Sequence, residues 1–238
     1  MIKIKNVEKS YGRKSLVSRP STPIIKGVSF ECPIGQTVAI IGESGSGKST
    51  LSRMILGIEK PDKGQVTLFS QPAHIKKVRQ HQIAAVFQDY TSSLHPFHTV
   101  REIMFEVMMC QCKQLTKSEM EARAQQLLDE VGLPDAYLNR YPHMLSGGET
   151  QRRVAIARAL CVHLRYILFD EAISSLDMSI QTQILDLLKT LRESHQLSYI
   201  FITHDVQAAT YLCDHLIIFK DGRIELQTAT SNLYRQLQ

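Results

Sequence analysis

Residues 35–50, GQTVAIIGESGSGKST, constrain the fold more than any other part of the chain. Thr37–Ile41 is a short β-branched and apolar run, the kind that forms a parallel strand buried on both faces. It leads into Gly42-Glu43-Ser44-Gly45-Ser46-Gly47-Lys48-Ser49, which satisfies the pattern G-x-x-x-x-G-K-[ST]. After Thr50 a helical stretch carries Leu51, Met54 and Ile55 on one side. Strand, glycine-rich turn and helix in that order predict a βα unit of an α/β fold, with the turn at the carboxyl end of its strand. Glycines there let successive backbone N–H groups turn inward onto phosphate oxygens, and the helix N-terminus adds partial positive charge. Lys48 is placed to reach the β and γ phosphates, and the Ser49 hydroxyl to hold Mg²⁺. A plain Gly/Ser turn that binds nothing is the bland alternative, and the complete octapeptide between strand and helix argues against it. The expected ligand is a nucleoside triphosphate with magnesium.

A second acidic signal completes the chemistry. Tyr166-Ile167-Leu168-Phe169 reads as another buried strand, and Asp170 and Glu171 emerge at its carboxyl end. Ligands of open α/β sheets bind at that edge. Asp170 is positioned to hold the Mg²⁺ shell, and Glu171 to polarise a water for attack on the γ-phosphate. The two carboxylates would otherwise cap the segment that follows. Together with the phosphate loop they predict phosphoryl transfer to water.

Composition closes off other classes. The chain has 238 residues, 43% hydrophobic and 21% charged, enough to bury a core as one domain with an insertion or as two small ones. No window approaches 18 consecutive apolar residues, and the N-terminus MIKIKNVEKSYG lacks the apolar stretch of a signal peptide. The five cysteines, Cys32, Cys110, Cys112, Cys161 and Cys213, are odd in number and mostly lie in apolar segments. Buried free thiols in a reducing compartment are the expectation, and Cys110-Gln111-Cys112 is too isolated for a metal site. The formal charge of +5 suits a nucleic-acid binder or an anionic membrane surface, but the basic residues are scattered.

Along the chain, Ile2–Val7 alternates as a half-buried strand and Ile24–Phe30 reads as another, with an exposed loop over residues 12–23. Pro61–Gly64 is predicted to turn into a strand Gln65–Phe69, and Ile83–Phe87 is again short and apolar. From Tyr90 to Leu160 the pattern is largely helical; Met120, Ala124, Leu127, Leu128 and Val131 share helical spacing. Ile180, Ile184, Leu187, Leu188 and Leu191 form an amphipathic helix after Asp177, and Tyr199–Ile202 is a strand. Leu216–Phe219 and Ile224–Leu226 flank a D-G turn at Asp221-Gly222, the mark of a hairpin.

These elements, in this order, resemble the nucleotide-binding subunit of an ATP-binding-cassette (ABC) transporter, and the likeness runs from Ile2 to about Leu226. It implies an α/β fold: a P-loop NTPase core of ABC ATPase type with an inserted helical subdomain and an N-terminal antiparallel β-subdomain. Residues 1–238 would be a single ABC ATPase domain. Residues 1–89 and 161–238 would form the core with its β-subdomain, and 90–160 the helical insertion. In this resemblance Tyr11 stacks on adenine, and residues Gly42 to Thr50 hold the phosphates of ATP. Gln88 touches Mg²⁺ or the attacking water, so that Ser49, Gln88 and Asp170 make up the metal set. Leu145-Ser146-Gly147-Gly148-Glu149 matches the family signature, with Ser146, Gly147 and Gly148 facing the γ-phosphate bound by a second subunit. As a bare sequence it is also a helix start, with Ser146 as N-cap and Glu149 closing a capping box. Ser174-Ser175-Leu176-Asp177 matches the loop that crosses to the partner, and His204 the histidine that contacts the γ-phosphate and orients Glu171. Arg152, Arg153 and Arg158 are given structural or interface roles only.

The resemblance narrows further. Phe87–Pro96 and Asp170–Asp177 are similar to the importer branch for short peptides, nickel and metal–metallophore complexes. Tyr90, His95 and Ala172 depart from that branch's usual proline, asparagine and proline. A stop soon after the hairpin, at Gln238, resembles the shorter second ATPase of nickel and metallophore systems. The implied activity is ATP hydrolysis driving import of a metal ion or metal–metallophore complex. The implied partners are two membrane-spanning permeases, a second homologous ATPase or another copy of this chain, and an extracytoplasmic binding protein. The place is the cytoplasmic face of the membrane, as a peripheral subunit. An oligopeptide or dipeptide importer is the alternative within the branch. A cassette acting on nucleic acid or ribosomes is favoured weakly by charge and opposed by the lack of a tandem cassette. A cassette that binds ATP without turnover is opposed by Glu171 and His204.

Overall fold

A computed structural model describes residues 1–12, 22–89, 94–111, 114–145, 147–173 and 176–232. The buried apolar runs assemble a six-stranded sheet: β3 (Thr37–Ile41), β6 (Ile83–Phe87), β7 (Tyr166–Asp170), β8 (Ser198–Thr203), β9 (His215–Lys220) and β10 (Arg223–Ala229). The strand order is β10-β9-β3-β8-β7-β6, parallel throughout except for the β9–β10 hairpin. Register decides where the site lies. Ile41 pairs with Thr203, Ile202 with Asp170, and Asp170 with Phe87, so the carboxyl ends of β3, β8, β7 and β6 finish side by side.

Each central strand buries both faces, and its residues alternate between two cores. Val38, Ile40, Tyr166, Leu168, Ile200 and Ile202 face the first, which also holds Leu51 and Met54 of α1 (Lys48–Ile55). A second sheet closes that core: β1 (Ile2–Tyr11), β2 (Thr22–Cys32), β4 (Lys63–Leu68) and β5 (Gln71–Pro72), antiparallel in the order β2-β1-β4-β5. A short helix, α2 (Lys76–Arg79), follows it. Ala39, Ile41, Ile167, Phe169, Tyr199 and Phe201 face the other core, shared with the helices. Burying one such side chain contributes roughly 1.5–3 kcal/mol.

Those helices are α3 (Val100–Gln111), α4 (Lys117–Glu130), α5 (Gly147–Ala159), α6 (Met178–His195) and α7 (Val206–Leu212). The first three run in succession between β6 and β7, with short 3₁₀ turns at Asp135–Asn139 and Pro142–Met144 between α4 and α5. α4 starts on a capping box in which Thr116 and Glu119 satisfy each other's backbone N–H groups. On α6, Ile184, Leu188 and Leu191 of the predicted apolar stripe are buried, Ile180 and Leu187 are partly buried, and Leu185 joins the buried face. Among the described residues no helix is long and apolar enough to cross a membrane.

Several boundaries differ from the sequence expectation. β1 runs on to Tyr11 and β2 begins at Thr22, because Glu8, Lys9, Ser10 and Tyr11 pair with Lys26, Ile25, Pro23 and Thr22 where apolar alternation has ceased. β4 starts at Lys63, inside the predicted turn, and Phe69 lies beyond it with a positive φ of 51°. Cys32, Cys161 and Cys213 are buried free thiols, as expected, whereas Cys110 is exposed; Cys112 lies outside the described residues. Burial pushes the Cys32 thiol up to about 12.

Candidate active site

The phosphate loop folds tightly because its glycines permit what other residues resist. Gly45 and Gly47 take φ values of 81° and 109°, and a Cβ on Gly42 would meet the Phe219 carbonyl oxygen at 2.1 Å. The β9–β10 turn braces the loop from below. Asp221 and Gly222 carry φ of 47° and 78°, the Gly222 N–H donates to Ser46 O at 3.0 Å, and Lys26 N–H donates to Gly222 O at 2.9 Å.

Lys48, 4% exposed, donates from Nζ to the carbonyls of Gly42 and Glu43, each at 2.8 Å. Its Nζ also lies 3.6 Å from Glu171 Oε1. Glu171 Oε2 in turn lies 3.8 Å from His204 Nδ1, so Lys48, Glu171 and His204 form one line across the strand ends. The Glu171 backbone sits in the left-handed region at φ 50°, with its N–H bonded to Ile202 O at 2.9 Å. A non-glycine residue held there stores roughly 1–3 kcal/mol of strain, a feature that clusters at functional sites. Asp170 is partly buried. Burial raises its carboxyl above the ordinary aspartate range, with the Glu171 charge adding to this and Lys48 and Arg53 opposing it.

The residues present fit Mg²⁺ and ATP. Ser46 Oγ is buried with no hydrogen-bond partner among the described residues, within the glycine-rich turn that precedes α1. Two adjacent carboxylates, one disfavoured in its charged form, stand beside the Lys48 ammonium. A divalent cation there would hold both ionised. Ser49, exposed in the first turn of α1, and Asp170 supply hard oxygen donors. Gln88 is exposed one residue past Phe87, the residue paired with Asp170.

Tyr11 is 40% exposed at the end of β1. Its hydroxyl donates to Glu59 Oε2 at 2.6 Å and accepts from Arg53 Nη2 at 3.0 Å, which ties the ring to α1. Glu59 also meets Lys9; these bonds outweigh burial and hold its carboxyl below the usual range. Gly147 and Gly148 stand at the start of α5, Gly147 exposed with φ 80°, in the helical layer rather than in the Lys48–Glu171–His204 line. Asp177 is exposed and precedes α6 without a side-chain cap bond. Ser146, Ser174 and Ser175 lie outside the described residues. Glu149 points along α5 to Arg153, 2.8 Å away.

Two connections escaped the sequence reading. Arg152, 2% exposed, donates from Nε to the carbonyl of Ala172, so α5 grips the residue after Glu171. Its place on the same helix face as Ala155, Ile156 and Ala159 is a signal that it points inward. Gln181, on α6, donates to Asp205 beside His204; no local pattern announces that pair.

The chain is similar to known proteins over most of its length. The family described as ABC transporter matches residues 25–174. The chain is 74% identical over 235 residues to the metal-staphylopine import system ATP-binding protein CntF of Staphylococcus aureus, covering 99% of this chain and 94% of that protein. It is 39% identical over 206 residues to the nickel import ATP-binding protein NikE of Shigella dysenteriae, covering 84% and 76%. Among solved structures, the dimeric post-hydrolysis state of the ATP-binding cassette MJ0796 bound to ADP and phosphate superposes with a TM-score of 0.86 at 32% identity, covering 97% of this chain and 99% of that one.

Proposed function

We propose that this chain, which belongs to the ABC transporter family, hydrolyses ATP to drive import of a metal ion or metal–metallophore complex through membrane-spanning partner subunits. The ABC-type ATPase activity comes with the family, and so does the binding of ATP with Mg²⁺. The cargo rests on one observation: 74% identity, over nearly the whole chain, to a protein named for metal-staphylopine import. The nickel-import relative points the same way at lower identity.

In this reading the Gly42–Thr50 loop and Lys48 hold the phosphates, and Tyr11 offers its ring to the adenine. Ser49, Asp170 and Gln88 would hold Mg²⁺, which supplies charge neutralisation at the β and γ phosphates. Glu171 accepts the proton of the attacking water, and His204 orients Glu171 from the other side. Bonds from Lys48 to the carbonyls of Gly42 and Glu43 keep its ammonium at the phosphate loop. Ser146, Gly147, Gly148 and Asp177 complete the site of a second ATPase subunit, either another copy or a homologue.

The system would contain two permeases, the ATPase pair and an extracytoplasmic binding protein, with this chain at the cytoplasmic face. The deciding experiment purifies the complex from membranes and measures ATP turnover and uptake in vesicles. Cargo would be nickel, other divalent metals, their metallophore complexes, or short peptides. Stimulation by a metal or its chelate supports the reading, and stimulation by peptides alone overturns the cargo.

A further inference from the structure

His204 carries a heavy proposed role on a weakly held side chain. Its ring is 57% exposed, and its Nδ1 at 3.8 Å from Glu171 Oε2 is beyond hydrogen-bond reach. What fixes it is the backbone on either side. Thr203, 1% exposed, ends β8, and its Oγ1 accepts the Asp205 N–H at 3.0 Å. Asp205 caps α7, with Oδ1 accepting the Ala208 N–H at 3.0 Å. The second carboxylate oxygen, Oδ2, accepts from Gln181 Nε2 at 2.6 Å. Burial alone would raise the Asp205 carboxyl, but the bonds from Ala208 and Gln181, with His204 nearby, hold it below the usual range.

Gln181 stands in the first turn of α6, its own N–H bonded to Asp177 O at 2.9 Å. The Gln181 side chain therefore spans from the first turn of α6, just after Asp177, to Asp205 in the loop that carries His204. We propose that Gln181 is a positioning residue: by holding Asp205 it locks His204 in register with Glu171 and ties that histidine to the partner-facing Asp177 segment. This rests on the reading of His204 as the γ-phosphate-contacting histidine. The bridge lies in an open cleft between α6 and α7, of about 230 Å³, lined also by Thr182, Leu185 and Tyr211. Its loss therefore leaves no closed void in the core, and the fold survives its removal.

The test is steady-state Mg-ATP turnover of the full chain across a double-mutant cycle. Gln181→Ala lowers kcat about tenfold at unchanged KM, a share of the ~10²–10⁴-fold that a positioned acid or base contributes. In a His204→Ala background the same change costs less than about twofold, because Gln181 acts through the histidine. Gln181→Glu, equal in shape but without a donor, fails like Gln181→Ala. Gln181→Lys, which restores a donor to Asp205, recovers kcat to within about threefold of the parent. Melting temperatures of all variants stay within about 3 °C of the parent. Equal losses in both backgrounds, a raised KM, or failure of the lysine variant where Gln181→Glu is active would each overturn the proposal. His204→Ala with parental turnover removes the reading of His204 and the bridge with it. His204→Ala inactive while Gln181→Ala turns over normally removes the bridge alone.

Discussion

Arg152 donates a hydrogen bond from Nε to the backbone carbonyl of Ala172, so a guanidinium buried in α5 grips the peptide unit next to Glu171. The helix that opens with Gly147 and Gly148 is thereby joined to the strand end that carries the proposed water-activating carboxylate. A charge-assisted bond of this kind is worth roughly 1.5–3 kcal/mol, and breaking it strands a buried carbonyl. Arg152→Met keeps the length and apolar stem but removes the donor. It should lower stability by about 2 kcal/mol, a Tm drop of roughly 4–8 °C for a chain of this size. Turnover should fall further than binding, because the strained Glu171 backbone loses a brace. Differential scanning calorimetry with ATPase assays checks both, and an unchanged Tm would show that the bond carries no load.

The contrast between Arg152 and Lys48 shows what a linear chain reveals. Lys48, Ser49 and the glycines around them lie within one short stretch of chain, so spacing alone announces them. Asp170 and Glu171 are legible because a buried strand has an end and the ladder aligns that end with β3. Arg152 and Ala172 lie 20 residues apart, and the acceptor is a backbone carbonyl that no side-chain identity marks. Tyr11 meets Glu59 and Arg53 across 48 and 42 residues of chain, a tertiary event for the same reason. The extension of β1 to Tyr11 was hidden because ladder bonds between Glu8–Tyr11 and β2 continue after the apolar alternation stops.

Glu171→Gln separates binding from chemistry. The amide keeps the shape that the φ of 50° already accommodates, but it cannot take a proton from water. Hydrolysis should fall by about 10²–10⁴-fold while ATP affinity is retained. With ATP present and turnover blocked, two ATPase subunits should elute together in size-exclusion chromatography. Phosphate release at the parental rate would sink the assignment of Glu171.

Asp170 yields a prediction in pH. Burial raises its carboxyl, so the folded chain keeps that proton to higher pH than the unfolded chain does. Its contribution to stability is therefore present below the ordinary aspartate range and is lost as pH rises through the raised value. At neutral pH the ionised group opposes folding until a cation meets it. Asp170→Asn should therefore melt higher than the parent at pH 7 without ligand, and this advantage should vanish under acid conditions. With Mg-ATP at about 100 times its Kd the parent gains about 2.7 kcal/mol, or roughly 5–10 °C, and the variant loses most of that shift. Melting curves from pH 4 to 8, with and without Mg-ATP, decide both signs.

Tyr11 combines an exposed ring with a tethered hydroxyl, and two substitutions pull these apart. Stacking of a base on an aromatic side chain is worth about 1–3 kcal/mol. Tyr11→Ala should accordingly raise the KM for ATP by roughly 5- to 150-fold with kcat within about twofold. Tyr11→Phe keeps the ring and gives up only the bonds to Glu59 and Arg53, an exposed network of small net worth. Its KM should stay within about threefold of the parent, and its Tm should fall by no more than about 3 °C. If phenylalanine behaves like alanine, the hydroxyl tether rather than the ring sets affinity, and the adenine would have to be held elsewhere.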